Sequence, residues 1–228
     1  MTPQRLQPRL VMPRHRHAHG YIALVLSGGY VEAGDLGRWH VAPGDALVHG
    51  PFDAHLDHVG STGARVLNLP LPLDHTLPAT ALRVCDADAV ARSAVHDVAE
   101  AIALCSAGAV ATPLLDDWPD QLAAALRAQP DLRIDRWAAC NGLAPATVSR
   151  GFRGVFGVSP ARYRAEARAR IALCMIRGSR EPLVAVAHDC GFADQAHLSR
   201  AISTLTGSTP GAWRRASSLF KTSGTART

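Results

Sequence analysis

Slid forward by fifty positions, the stretch from Ile134 to Arg164 falls on Val184 to Arg214 with matching residue types. Ser149-Arg150 lands on Ser199-Arg200, Cys140 on Cys190, Val148 on Leu198 and Phe152 on Ile202. Gly157 lands on Gly207, Ser159-Pro160 on Thr209-Pro210, and Tyr163-Arg164 on Trp213-Arg214. A chain that carries one pattern twice at a fixed offset is read as two copies of one supersecondary unit.

The unit can be read from its spacing. In the first copy, "IDRWAACNGLAPATVSRGFRGVFGVSP" predicts a short helix from Asp135 to Cys140. Asn141-Gly142 then supplies the left-handed conformation that ends a helix. A second helix starts near Ala144, with Pro145 tolerated in its first turn. Val148, Phe152 and Val155 form its buried stripe. Ser149, Arg150 and Arg153 lie off that stripe. The second copy repeats the plan with "LVAVAHDC", a turn at Gly191 and "DQAHLSRAISTL". There Leu198, Ile202 and Leu205 anchor the helix, and Gln195, Ser199 and Arg200 face outward. Gly207 to Pro210 stop it, with Thr209 as the next cap. Between the copies, "SPARYRAEARARIALCMIRG" predicts one long helix capped by Ser159 and ended by Gly178. Its Arg162, Arg164, Arg168 and Arg170 are open to phosphate or to solvent. Helix, short glycine turn, helix is the helix-turn-helix pattern, whose second helix can lie in a major groove.

Charge divides the chain the same way. Residues 131–228 hold fifteen Lys/Arg against six Asp/Glu, a net of +9, whereas residues 1–130 hold nine against thirteen, a net of −4. A basic segment gains affinity for nucleic acid by releasing counterions from phosphates.

With these motifs in place, residues 125–216 resemble the DNA-binding domain of AraC-type transcription regulators. The resemblance is carried by "GFADQAHLSRAISTLTGSTPGAWR", and in the first copy by Val148-Ser149-Arg150, Phe152, Gly157, Ser159-Pro160 and Tyr163-Arg164. It implies two helix-turn-helix units joined by a central helix, each placing a recognition helix in double-stranded DNA. Carried over by position, the reading faces are Ala146, Ser149, Arg150 and Arg153, then Gln195, Ala196, Ser199 and Arg200. The first copy departs from a rich polar face, since Ala144, Pro145 and Ala146 offer no hydrogen bonds; they can touch thymine methyls, or the first copy contributes mostly backbone contacts. His197 reads as a packed helix residue. Regulators of this type imply RNA polymerase as a further partner.

The front half has a different character. Eight of the eleven histidines fall in residues 1–75. Tyr21 to Leu26 reads as a strand, Ser27-Gly28-Gly29 as a turn and Pro43-Gly44-Asp45 as another, so several short strands suggest a small β-barrel or sandwich. His17-x-His19 before a strand, the Gly28 turn, Pro43-Gly44-Asp45, and Pro51 with His55 resemble the cupin-type sensor domain. The expected fold class is therefore α+β, a cupin-like β-barrel followed by an all-α domain. The expected limits are 1–80 for the barrel, 81–124 for a helical linker or homodimer segment, 125–216 for DNA binding and 217–228 for a disordered tail. Helix is expected throughout residues 86–128.

His15, His17 and His19 alternate, so on a strand they share one face. With His49 and His55 they form the candidate site for a small-molecule or metal effector, zinc being one divalent ion that imidazoles hold. No Glu follows His17 and His19 where metal-dependent cupins place one. The reading that competes with a transcription regulator, which is no enzyme, is a metal-dependent cupin enzyme with a helical appendage. The five cysteines, with no CxxC pair, read as small buried residues in a reducing compartment, with a redox sensor as a third reading. No run of about 18 apolar residues predicts a membrane span. The N-terminal prolines and arginines do not form a secretory signal, so a cytoplasmic protein is expected.

Overall fold

A computed structural model describes residues 1–72, 79–112, 117–129 and 131–223 of the chain. It divides into two compact units, Met1–Gln121 with Phe152–Gly157, and Leu122–Gly151 with Val158–Thr228.

The first unit is built on an eight-stranded antiparallel sheet, among the described residues. Its spine is the pairing of β3 (Tyr21–Gly34) with β6 (Ala54–Pro70). β1 (Gln4–Leu6) and β2 (Val11–Arg16) pair with β6; β4 (Gly37–Val41) and β5 (Asp45–His49) pair with β3. β7 (Ala81–Arg83) continues from β5, and β8 (Ala109–Val110) from β7. The run "YIALVL" is apolar throughout because the sheet is covered on both faces there. Ile22 and Leu24 pack toward Val90, Ala94, Ala101 and Ile102 of the helical layer, while Ala23 and Val25 pack inward with Trp39, Leu47 and Val66. That layer is α1 (Ala87–Ser93) and α2 (Val98–Ser106), capped by the side chains of Asp86 and Asp97.

Three expectations change here. Ser27-Gly28-Gly29 is no turn: β3 runs through it, with register shifts on either side of Ser27-Gly28. Such a shift is a β-bulge, which bends a strand without ending it. Gly28 has φ +70°, and a Cβ there would lie 2.0 Å from the Gly63 carbonyl oxygen, so only glycine fits. Residues 86–128 are not one helical stretch, since β8 interrupts them between α2 and α3 (Trp118–Ala128). Nor does the sheet end at residue 80: β7 and β8 extend it, and α1 and α2 bury their apolar faces on it.

The second unit is helical. α4 (Ile134–Cys140) and α5 (Pro145–Phe156, whose residues from Phe152 on group with the first unit) form the first copy, α6 (Pro160–Gly178) is the central helix, α7 (Leu183–Asp189) and α8 (Gln195–Thr206) form the second, and α9 (Pro210–Ser223) follows. Ser159 accepts from the Arg162 N–H, and Thr209 Oγ1 from the Ala212 N–H, so each cap expected from sequence forms. The offset of fifty holds from α5 to α8, but α4 and α7 are forty-nine apart, as are the left-handed Gly142 and Gly191. Ala138 thus matches Ala187, both buried, and Cys140 does not match Cys190. The extra residue in the second turn admits Asp194, whose side chain caps α8 by accepting from the His197 N–H at 2.6 Å. In α5 the buried stripe is Val148, Phe152 and Phe156, with Val155 only half-buried. Helix α9 continues to Ser223, so residues 217–223, expected in a tail, extend a ladder already nucleated at Pro210; residues 224–228 lie outside the described residues. Residues 73–78, which include His75, also lie outside them. Cys105 and Cys190 are buried, whereas Cys85, Cys140 and Cys174 are exposed, contrary to a uniformly buried set.

Two glycines test this account in opposite directions. Gly28→Ala is expected to lose at least about 1–3 kcal/mol in thermal denaturation, from left-handed strain and the clash with Gly63. Gly154→Ala, in a helix with nothing within 4 Å of the added carbon, is expected to gain about 0.5–1 kcal/mol. A neutral Gly28→Ala would show that the bulge relaxes.

Candidate nucleic-acid interface and histidine pocket

The two second helices present the expected faces. On α5, Ala146, Ser149, Arg150 and Arg153 are exposed, and they recur at helical spacing opposite Val148 and Phe152. On α8, Gln195, Ala196 and Arg200 are exposed and Ser199 is half-buried, opposite Leu198, Ile202 and Leu205. Among the described residues the guanidinium groups of Arg150, Arg153 and Arg200 have no hydrogen-bond or ion-pair partner. The arginines of α6 differ. Arg162 pairs with Glu166 at 2.9 Å, Arg164 donates to the Leu132 carbonyl at 2.9 Å, and Arg168 donates to the Gly191 carbonyl at 2.9 Å. These three are engaged within the helical unit. His197 is exposed, with its ring edge-on to Phe192 at 5.2 Å between centroids.

The second cluster lies inside the first unit, beside a cavity of about 300 Å³. His15 on β2 pairs in register with His55 on β6, and Tyr21 on β3 pairs with His49 on β5. The rings of His15 and His55 are 4.4 Å apart, those of His49 and His55 4.7 Å, and Tyr21 stacks on His49 at 4.5 Å. His17 joins them at 5.7 Å from His55. His19 does not: it sits exposed in the bend after β2, where the strand alternation has ended.

Sequence reasoning missed the acids. Glu32 comes from β3 and Asp57 from β6; they stand directly opposite one another and are each 1% exposed. A carboxylate thus does lie beside the imidazoles, though on β3 rather than directly after His19. Its signal is hidden by the bulge. Tyr21 and Ala23 face the cavity before it, Tyr30 and Glu32 after it, so the inward parity switches from odd to even. An acidic residue between Val31 and Ala33 in a strand otherwise apolar was the one available clue.

These groups set one another's protonation. Burial pushes His49 down, and the neighbouring histidines push it further, so it is neutral. His17 is lowered by burial and by His15. Burial also opposes a charge on His55, but its contacts with Asp57 and Glu32 outweigh burial and raise it from 6.5 to about 10. Glu32 is raised from 4.5 to about 7, first by burial, with His55 opposing the rise. Tyr21, whose hydroxyl is 3.1 Å from His55 Nε2, is raised by burial and by Glu32. Two sets of three side chains come within reach of a single ion, His15–His17–His55 and Glu32–His49–His55, each with donor atoms within 4.8 Å of one another.

The raised His55 has a consequence for stability. A base whose folded value lies above its unfolded value contributes stability that is complete below 6.5 and is lost as pH rises through about 10. The lowered His17 and His49 are neutral in both states above 6.5 and do not enter this window. In chelator, the melting temperature is therefore expected to fall from about pH 7 to about pH 9, and to fall less in His55→Gln. A flat or rising profile would contradict a protonated His55.

Among the described residues no helix is long and apolar enough to cross a membrane. Residues 137–216 match the family model described as a helix-turn-helix domain. No curated protein matches the chain. Among solved structures, the chain is similar to the C-terminal domain of AraT, a response regulator from Geobacillus stearothermophilus, at 20% identity and TM-score 0.40, over 43% of this chain and 84% of that one. It is similar to ToxT from Vibrio cholerae at 9% identity and TM-score 0.44, over 94% and 96%. It is also similar to a probable AraC family transcriptional regulator from Rhodopseudomonas palustris at 20% identity and TM-score 0.40, over 42% and 94%. At such identities and scores the assignment rests on the matched domain and on the paired units themselves. Residues 137–216 are a helix-turn-helix domain.

Proposed function

We propose that the chain is a sequence-specific DNA-binding transcription regulator whose first unit senses a small ligand or a metal ion. The observation that carries the reading is the pair of second helices, α5 and α8, whose outward faces carry Arg150, Arg153 and Arg200, exposed and without partners among the described residues, while Arg162, Arg164 and Arg168 of α6 are engaged. Arginine suits bidentate contact with guanine, and Ser149, Gln195 and Ser199 add hydrogen-bonding groups to the same faces. Ala146 and Ala196 are flat enough to meet a thymine methyl. The positive excess of residues 131–228 supplies the sequence-independent part of the affinity. Two reading helices in one chain allow a monomer to span two blocks of sequence, so neither a homodimer through residues 81–124 nor an RNA polymerase contact is needed for binding itself.

The supporting observation for sensing is the buried polar cluster beside a cavity of about 300 Å³, the lower end of the range for small-molecule pockets. The same cluster is what favours the alternative, a metal-dependent enzyme. The two are separated by selection of bound duplexes from a random DNA pool, with and without chelator. A regulator enriches one motif with two blocks about one helical turn apart. Failure to enrich any motif, together with metal-dependent turnover of a substrate, would favour the enzyme.

On the selected duplex, Arg200→Ala is expected to lose about 1–3 kcal/mol of specific binding and to relax the preference at one base. Binding of the unaltered chain is expected to weaken more than about tenfold from about 50 to about 200 mM salt. Unchanged affinity of Arg200→Ala would place the reading face elsewhere on α8.

A further inference from the structure

The floor of the pocket carries a charge arrangement that the protein's own side chains leave incomplete. Glu32 and Asp57 face each other across the β3–β6 ladder, both buried. Like charges directly opposite on a sheet repel, and a dry setting makes the repulsion stronger. Glu32 Oε2, Asp57 Oδ2 and His49 Nε2 are all buried without a hydrogen-bond partner. Buried polar atoms are ordinarily satisfied, and two of these orphans, Glu32 Oε2 and His49 Nε2, face each other at 3.5 Å, which points to something that binds between them.

Their spacing says what. Glu32 Oε2 lies 3.5 Å from His49 Nε2 and 3.2 Å from His55 Nδ1, close enough for ionic contact but with Oε2 and Nε2 left without hydrogen bonds. Two donors each bonded to one tetrahedral ion at about 2.0–2.1 Å stand about 3.3–3.4 Å apart. The pairs match that separation with no ion between them.

We propose that Glu32, His49 and His55 form a binding site for one divalent transition-metal ion of the zinc class. The site deepens the sensing role proposed above, on which its regulatory meaning rests. Two imidazoles and one carboxylate suit zinc, iron, cobalt or copper, whereas magnesium and calcium favour all-oxygen sets. Asp57 adds a second negative charge on the same side, 3.3 Å from His55 Nδ1. Tyr21 holds the other nitrogen of the His55 ring. Three protein ligands leave a coordination position for water or a small ligand, and Glu32 and His55 both border the cavity. The outer set, His15, His17 and His55, shares one ligand but has no carboxylate, and its His17 is exposed. It offers an ion less charge and less shelter.

The test is a titration of the full chain, stripped by chelator, with Co²⁺, followed by visible d–d absorption, which needs no DNA. One saturable equivalent, displaced by Zn²⁺, is expected. Glu32→Gln and His49→Gln are each expected to weaken it by at least about tenfold, while His19→Ala leaves it unchanged. Far-ultraviolet dichroism checks that each variant folds; Glu32→Gln preserves the side chain's shape and decides the matter if His49→Gln does not. Absence of saturable binding overturns the site. So does binding that survives both Gln variants and is lost with His15→Ala or His17→Ala. Metal binding that leaves DNA affinity unaltered supports the site and overturns the sensing role. Intact DNA binding with no metal uptake overturns the site alone.

Discussion

The pairing of β3 with β6 carries the first unit. Every other strand of the sheet except β7 and β8 is hydrogen-bonded to one of these two, and both are long enough to take different partners along their length. The bend that makes this feasible depends on glycine at residues 28 and 63, where the backbones approach too closely for any side chain. The same pairing has an electrostatic cost. It sets Glu32 against Asp57 and gathers His15, His49 and His55 around them. A sheet optimised for stability alone would place apolar residues there. Glu32, Asp57, His49 and His55 are nevertheless kept in the interior.

The second unit rests on a different constraint, the burial of one apolar stripe of each second helix. Leu198, Ile202 and Leu205 from α8, and Val148 from α5, are nearly inaccessible. Once these are fixed, helical geometry dictates which residues point the other way. The structure adds a division of labour among the arginines: those of α6 at positions 162, 164 and 168 are consumed by internal contacts, and those of α5 and α8 are not. Net charge alone does not show this, because it counts every arginine equally.

Legibility tracked the range of the interactions. Caps at Ser159 and Thr209, the left-handed turns at Gly142 and Gly191, and the apolar stripe of α8 could all be read because each depends on residues within a few positions. Even so, the offset of fifty concealed a one-residue difference in the turns. It showed only when Asp194 proved to be the cap of α8. Phe156 rather than Val155 completes the α5 stripe, because spacings of four from Val148 and Phe152 place it on the same face, where it stacks on Phe152. The stretch 86–128 looked uniformly helical since its pattern gives no warning of β8, a two-residue strand whose only reason to exist is its neighbour β7.

The sequence by itself determined that this chain ends in two helix-turn-helix units with Arg150, Arg153 and Arg200 on their outward faces, and that its histidines gather in a β-rich front half. Those features are periodic or local, and a helix completes its own backbone hydrogen bonds. Only the tertiary structure decided which histidines meet, that His19 is not one of them, and that Glu32 and Asp57 are their partners. Strand pairing joins residues far apart in the chain, and a single bulge reverses the inward parity of everything after it. No window of sequence contains both halves of that decision.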